Sequence, residues 1–118
     1  MRSLIVALGS LLFYAFATTV QADCTYPKIP DVMPDGSSAA REEMIAAAVV
    51  YKQYNADVDA YVTCLDQDTA EKIKAADGVS AILQIKALQA KKKSSALDER
   101  QAKIDQFNRQ LRAFKAKG

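Results

Sequence analysis

Beyond residue 38 the apolar side chains recur at spacings of three and four, the period that an α-helix buries along one side. Met44, Ala48, Tyr51, Val58, Val62 and Leu65 form the first stripe, with Asn55 as the alternative to Val58 and with Ile45 and Val49 widening it. Ser37 or Ser38 stands at the N-cap position, and Glu42 and Glu43 favour the positive end, so the pattern predicts a helix over about 38–65. Asp68 with Glu71 three residues later reads as a capping box, which restarts a helix over about 68–92. Ile73, Ala76, Ser80, Leu83 and Ala87 share one face of it, and Ile82, Ile85 and Leu88 a second. Asp77-Gly78 marks a kink or break, because glycine inside a helix costs about 1 kcal/mol relative to alanine. After the polar run Lys91-Lys92-Lys93-Ser94-Ser95, Ser95 with Asp98 opens a last helix over about 95–116. Its stripe of Leu97, Ile104, Phe107, Leu111 and Phe114 has the spacing of a coiled-coil-like helix–helix seam. No stretch alternates with period two long enough for a strand. The predicted fold is all-α, a small helical hairpin or three-helix bundle; the alternative is a two-helix antiparallel coil with residues 69–116 continuous.

Two N-terminal stretches escape the helical period. Residues 1–22 open on Met1-Arg2, continue with an apolar run from Leu4 to Val20, and end on Val20-Gln21-Ala22. This is the pattern of a signal peptide cleaved after Ala22, which directs the chain to the periplasm or to secretion. A membrane anchor fits less well, because the run is short of the ~20 apolar residues that a spanning helix needs. Residues 23–37 carry all three prolines, Pro27, Pro30 and Pro34, which forbid a helix and favour an extended strap ending in the Pro34-Asp35-Gly36 turn. Cys24 and Cys64 are the only cysteines, and in an oxidising compartment an even pair is most simply one disulfide. Intermolecular pairing is the rival. A helix from Ser38 to Cys64 is ~39 Å long, and the chain from Cys24 to Ser38 reaches ~43 Å in polyproline geometry. If the first helix is unbroken, the disulfide therefore stretches the strap antiparallel along it, with Tyr26, Pro27, Ile29 and Pro30 over Tyr61 and Tyr54.

Composition narrows the chemistry. Loss of Arg2 with the leader leaves fifteen basic against fourteen acidic side chains, so charge makes no case for nucleic acid. The charge is uneven: residues 23–66 hold eight acidic and three basic side chains, and residues 67–118 hold six and twelve. There is no histidine, no Gly-x-Ser-x-Gly elbow and no phosphate-cradling glycine cluster. Asp66-Gln67-Asp68 lacks the glycine that a calcium loop needs at its sixth place, where Glu71 stands. Asp57 and Asp59, two apart on a helix, point to different faces and cannot share acid–base work. The expectation is a protein that is not an enzyme and has no catalytic residue, cofactor or metal.

Two features keep functional content. Tyr51, Tyr54 and Tyr61 lie along one helix and form either an interaction surface or the bed on which the strap packs. Arg109 and Arg112 lie opposite the stripe of Ile104, Phe107, Leu111 and Phe114, a pattern that either packs inside the protein or lies on an anionic membrane surface.

The stretches CTYPKIPDVMPDGSSAAREEM and YKQYNADVDAYVTCL, with FNRQLRAFKA near the end, resemble a family of small secreted bacterial proteins of unknown function. In that family a cysteine and a proline-rich strap ending in Pro-Asp-Gly precede a helix that carries the second cysteine. The resemblance implies export, one disulfide and a helical body, and implies no activity. The leading expectation is an exported, non-enzymatic protein that acts through an unknown protein or envelope component. The alternative is a membrane-surface protein that binds anionic lipid through its C-terminal helix. Oligomeric state stays open.

Overall fold

A computed structural model describes residues 24–118; the expected signal peptide over 1–22 and its cleavage point lie outside the described residues. The described residues form two helices, α1 (Arg41–Ala75) and α2 (Val79–Ala116), and no strand. The helices run antiparallel: Lys93 pairs with Asp66, Arg100 with Asp59, and the Phe107 ring stacks on Tyr51 at 4.8 Å. The described residues are an all-α helical hairpin with one disulfide, Cys24–Cys64.

Helix boundaries depart from the sequence expectation in three places. First, the break expected at 66–67 is absent, and α1 continues to Ala75. The residues read as a cap there do other work: Asp68 pairs with Lys72 one turn on and accepts from the Gln89 side chain, and Asp66 holds Lys93. Second, the polar run 91–95 does not end a helix. Lysine and serine are helix-compatible, nothing in the run forbids helical backbone, and Ala96 beyond it is buried against α1. Residues 79–116 are therefore one helix, and the break between the two described helices lies at Ala76-Asp77-Gly78, where Gly78 takes φ +90°, a conformation that favours glycine. Third, Ser37 and Ser38 do not cap α1, which starts after Ala40 with no side-chain cap. Asp35 draws the serines into its own turn, accepting from the Ser37 backbone N–H and hydroxyl, while its carbonyl accepts from the N–H groups of Ser38 and Ala39. The two Ser37 bonds to the carboxylate hold the Asp35 carboxyl below its usual range.

One face of α1 supplies most of the core. Met44, Ala47, Tyr51, Tyr54, Val58, Tyr61 and Leu65 are buried at alternating steps of three and four. Ala47 replaces the expected Ala48, Val62 is half-buried, and Ile45 and Val49 stay exposed instead of widening the stripe. From α2 come buried Gln89, Ala96 and Phe107, with Leu97, Ile104, Leu111 and Phe114 half-buried against the same cluster.

Residues 24–40 close the third side. Pro27, Gly36 and Ala39 are buried, and Ile29 and Met33 pack against the core. Contacts descend α1 as this segment ascends: Cys24 bonds Cys64, Tyr26 meets Tyr61, and the Val32 carbonyl accepts from the Tyr51 hydroxyl at 2.9 Å. It also touches α2, where Gly36 N–H donates to Gln110 Oε1 at 2.9 Å and Lys117 donates to the Ala39 carbonyl. A β-carbon on Gly36 would stand 1.8 Å from the Gln110 carbonyl oxygen, so this backbone approaches α2 in a way only glycine allows.

Beyond Leu65 and Gln89 no described residue of the hairpin is buried. Gln89 marks that limit. Its Nε2 donates to Asp68, and its buried Oε1 accepts from no described protein group.

Gly36→Ala should lower stability by about 1–3 kcal/mol, because the clash is with backbone that cannot rotate away. Denaturant unfolding checks it, and an unchanged midpoint would contradict the packing. Replacing both cysteines by serine should cost about 4 kcal/mol, since the bond joins residues 40 apart. A smaller midpoint shift than that of Gly36→Ala would show that the segment is held mainly by its other contacts.

Candidate functional site

The residues singled out from sequence separate into three groups. Cys24 and Cys64 are bonded, with Cα atoms 5.7 Å apart. Tyr51, Tyr54 and Tyr61 are core residues, between 2% and 6% exposed, so they do not form an open interaction surface as a set, and of the three only Tyr61 reaches the recess beside Leu88. Their positions explain the burial: they share the face of α1 that carries Met44, Val58 and Leu65. Burial pushes the phenols of Tyr51 and Tyr54 up. Arg109 and Arg112 are exposed on α2 and form no ion pair among the described residues. The structure does not join them to the tyrosines. The apolar stripe beside them is engaged within the hairpin, with Phe107 buried and Ile104, Leu111 and Phe114 half-buried.

The fourth tyrosine behaves differently. Tyr26 is 44% exposed, and its ring meets Tyr61 edge-on at 5.2 Å. Its hydroxyl donates to Glu99 Oε2 at 2.6 Å. That bond, with some desolvation and the carboxylate charge, pushes the phenol up to about 12.

Surface recesses follow the seam between residues 24–40 and the helices. One, of about 510 Å³, lies between Lys28–Val32 and the α1 residues Val49, Val50, Gln53 and Tyr54. Val32, Val49 and Val50 give it an exposed apolar rim. A second, of about 410 Å³, is built by Tyr26 and Tyr61 with Leu88, Lys91, Lys92 and Ser95 of α2. The sequence pattern does not point to this one, because a run of lysines and serines reads as a helix end. The available signal was the spacing of 88, 91, 92 and 95, which shares one side of a continuous helix.

Among the described residues no three metal-ligating side chains converge, and no helix is long and apolar enough to cross a membrane. No family model, characterised protein or solved structure matches this chain.

The raised Tyr26 phenol predicts alkaline behaviour. Glu99 favours the protonated form, so the contact's contribution to stability is complete below the ordinary value of 10.0 and is lost as pH rises through about 12. Tyrosinate titration followed by NMR should show the Tyr26 midpoint falling towards the ordinary value in Glu99→Gln. An unmoved midpoint would refute the hydrogen bond as its cause.

Proposed function

We propose that the chain is an exported, non-enzymatic helical protein of the periplasm or the extracellular space, acting through contacts with a protein or envelope component. The observation that carries this reading is the Cys24–Cys64 bond, which suits an oxidising compartment and ties the proline-rich segment to the hairpin. The apolar run and Val20-Gln21-Ala22 at the start of the sequence support the same destination. Kinship with the small secreted bacterial proteins carrying a Cys/Pro-rich strap belongs to this proposal. So does the strap itself: residues 24–37 act as a fixed outer wall that presents Lys28–Val32 beside the exposed Val49 and Val50. A wall with an apolar rim, fixed at both ends, loses little conformational entropy on meeting a partner.

Expression of the full sequence with a C-terminal tag in a bacterium tests the reading. Fractionation should recover a chain that starts at Asp23, lies outside the cytoplasm and carries no free thiol. Cross-linking in intact cells should join it to a defined envelope partner, and substituting Val32 and Val49 by Asp should remove that adduct. Recovery in the cytoplasm with Met1 retained and both thiols free would overturn export. Loss of every adduct only when the helices themselves unfold would overturn the contact surface.

A further inference from the structure

We propose that the recess between Tyr26, Tyr61 and the Leu88–Ser95 stretch of α2 is a binding site for an amphiphilic monoanion, a carboxylate carried on an alkyl or aryl body. Three separate parts of the chain meet there: residues 24–40 bring Tyr26, α1 brings Tyr61, and α2 brings Leu88, Lys91, Lys92 and Ser95. The floor is apolar, made by two rings in edge-to-face contact, and Leu88 stays 55% exposed beside it. Apolar side chains left in water next to a concave aromatic floor are surface that a ligand's hydrocarbon part can cover.

The charges set the ligand's sign. No acidic residue lies between Val79 and Leu97 of α2. Lys93 is committed to Asp66, whereas Lys91 and Lys92 form no ion pair among the described residues. The carboxylates around it are engaged: Asp68 holds Lys72 and Gln89 and also feels the Lys92 charge, and Glu99 accepts from Tyr26. Glu99 lies one turn beyond Ser95 on α2, so an anion is disfavoured there and favoured at the lysine end. An inorganic anion would meet only solvated ammonium groups, and exposed pairs of that kind are weak. The hydrocarbon part is what makes binding worthwhile, and the carboxylate orients it. Tyr26 is two residues from Cys24, so the disulfide also holds one wall of the site in place.

Laurate is the probe, titrated into the oxidised protein by calorimetry and by NMR of Tyr26, Leu88 and Ser95. Saturable one-to-one binding is expected with Kd below about 1 mM, together with shifts at those three residues. Dodecanol and acetate should each bind at least about tenfold more weakly, and Lys91→Gln with Lys92→Gln should weaken laurate about tenfold with helix content unchanged. Leu88→Ser, at a position 55% exposed, should weaken laurate and dodecanol together with helix content unchanged. Three results would overturn the site: no saturable laurate binding, dodecanol binding as tightly as laurate, or an unchanged affinity in the lysine double variant. Retention on phosphatidylglycerol vesicles without any binding of free laurate would overturn it too, and would assign the lysines to a membrane surface.

Discussion

A pair of antiparallel helices shares a single seam, and a single seam cannot cover the outer edges of side chains as large as tyrosine. This constraint organises the molecule. Tyr51, Tyr54 and Tyr61 are buried although only one helix faces α1, because residues 24–40 supply the missing wall. That wall has no regular hydrogen-bonding pattern of its own to hold it. It is attached at both ends instead, by a covalent bond at Cys24 and by the close approach of Gly36 to the α2 backbone, with the Tyr51–Val32 hydrogen bond between them. The covalent end matters because an extended segment gives up backbone freedom of about 1–2 kcal/mol per residue when it is fixed.

The wall also divides the hairpin. Where it covers the seam, between the start of α1 and Cys64, the core is closed by Met44, Tyr51, Val58 and Phe107. Where it is absent, beyond Leu65 and Gln89, the helices run on with no buried residue, and Val79 and Leu83 face solvent. Local opening is expected to begin at this end, since few buried apolar contacts oppose it. The Tyr26–Leu88 recess sits close to the boundary between the two zones, built partly from the last of the wall and partly from the open hairpin.

Much of the architecture was legible from local signals. The helical period, the absence of strand patterning and the single cysteine pair led to an all-α hairpin with one disulfide. The placement of helix ends was less legible, because capping signals are ambiguous when read alone. Asp68 and Glu71 form a credible capping box, yet Asp68 serves a lysine on its own helix and a glutamine on the other. Ser37 is a credible N-cap, yet a turn centred on Asp35 claims it first. Of the candidate site residues, the tyrosines at 51, 54 and 61 were visible as a set, but their spacing fits an outward face and an inward face equally well. Lys91 and Lys92 were visible only as a polar run, since what joins them to Tyr26 is a recess shared by residues more than sixty positions apart in the chain.

By itself the sequence determined what is periodic or covalent: helical backbone over most of residues 41–116, the break at Asp77-Gly78, the exclusion of helix from the proline segment, and which two sulfurs could join. These follow from each residue's own backbone preferences and from a count of two cysteines. Only the tertiary structure decided which side of α1 turns inward, that α1 passes through 66–68 without stopping, and that Tyr26 alone among the tyrosines of the described segment remains at the surface. Those outcomes depend on how much apolar area each arrangement covers, and that area does not exist until the second helix and the N-terminal wall are in place.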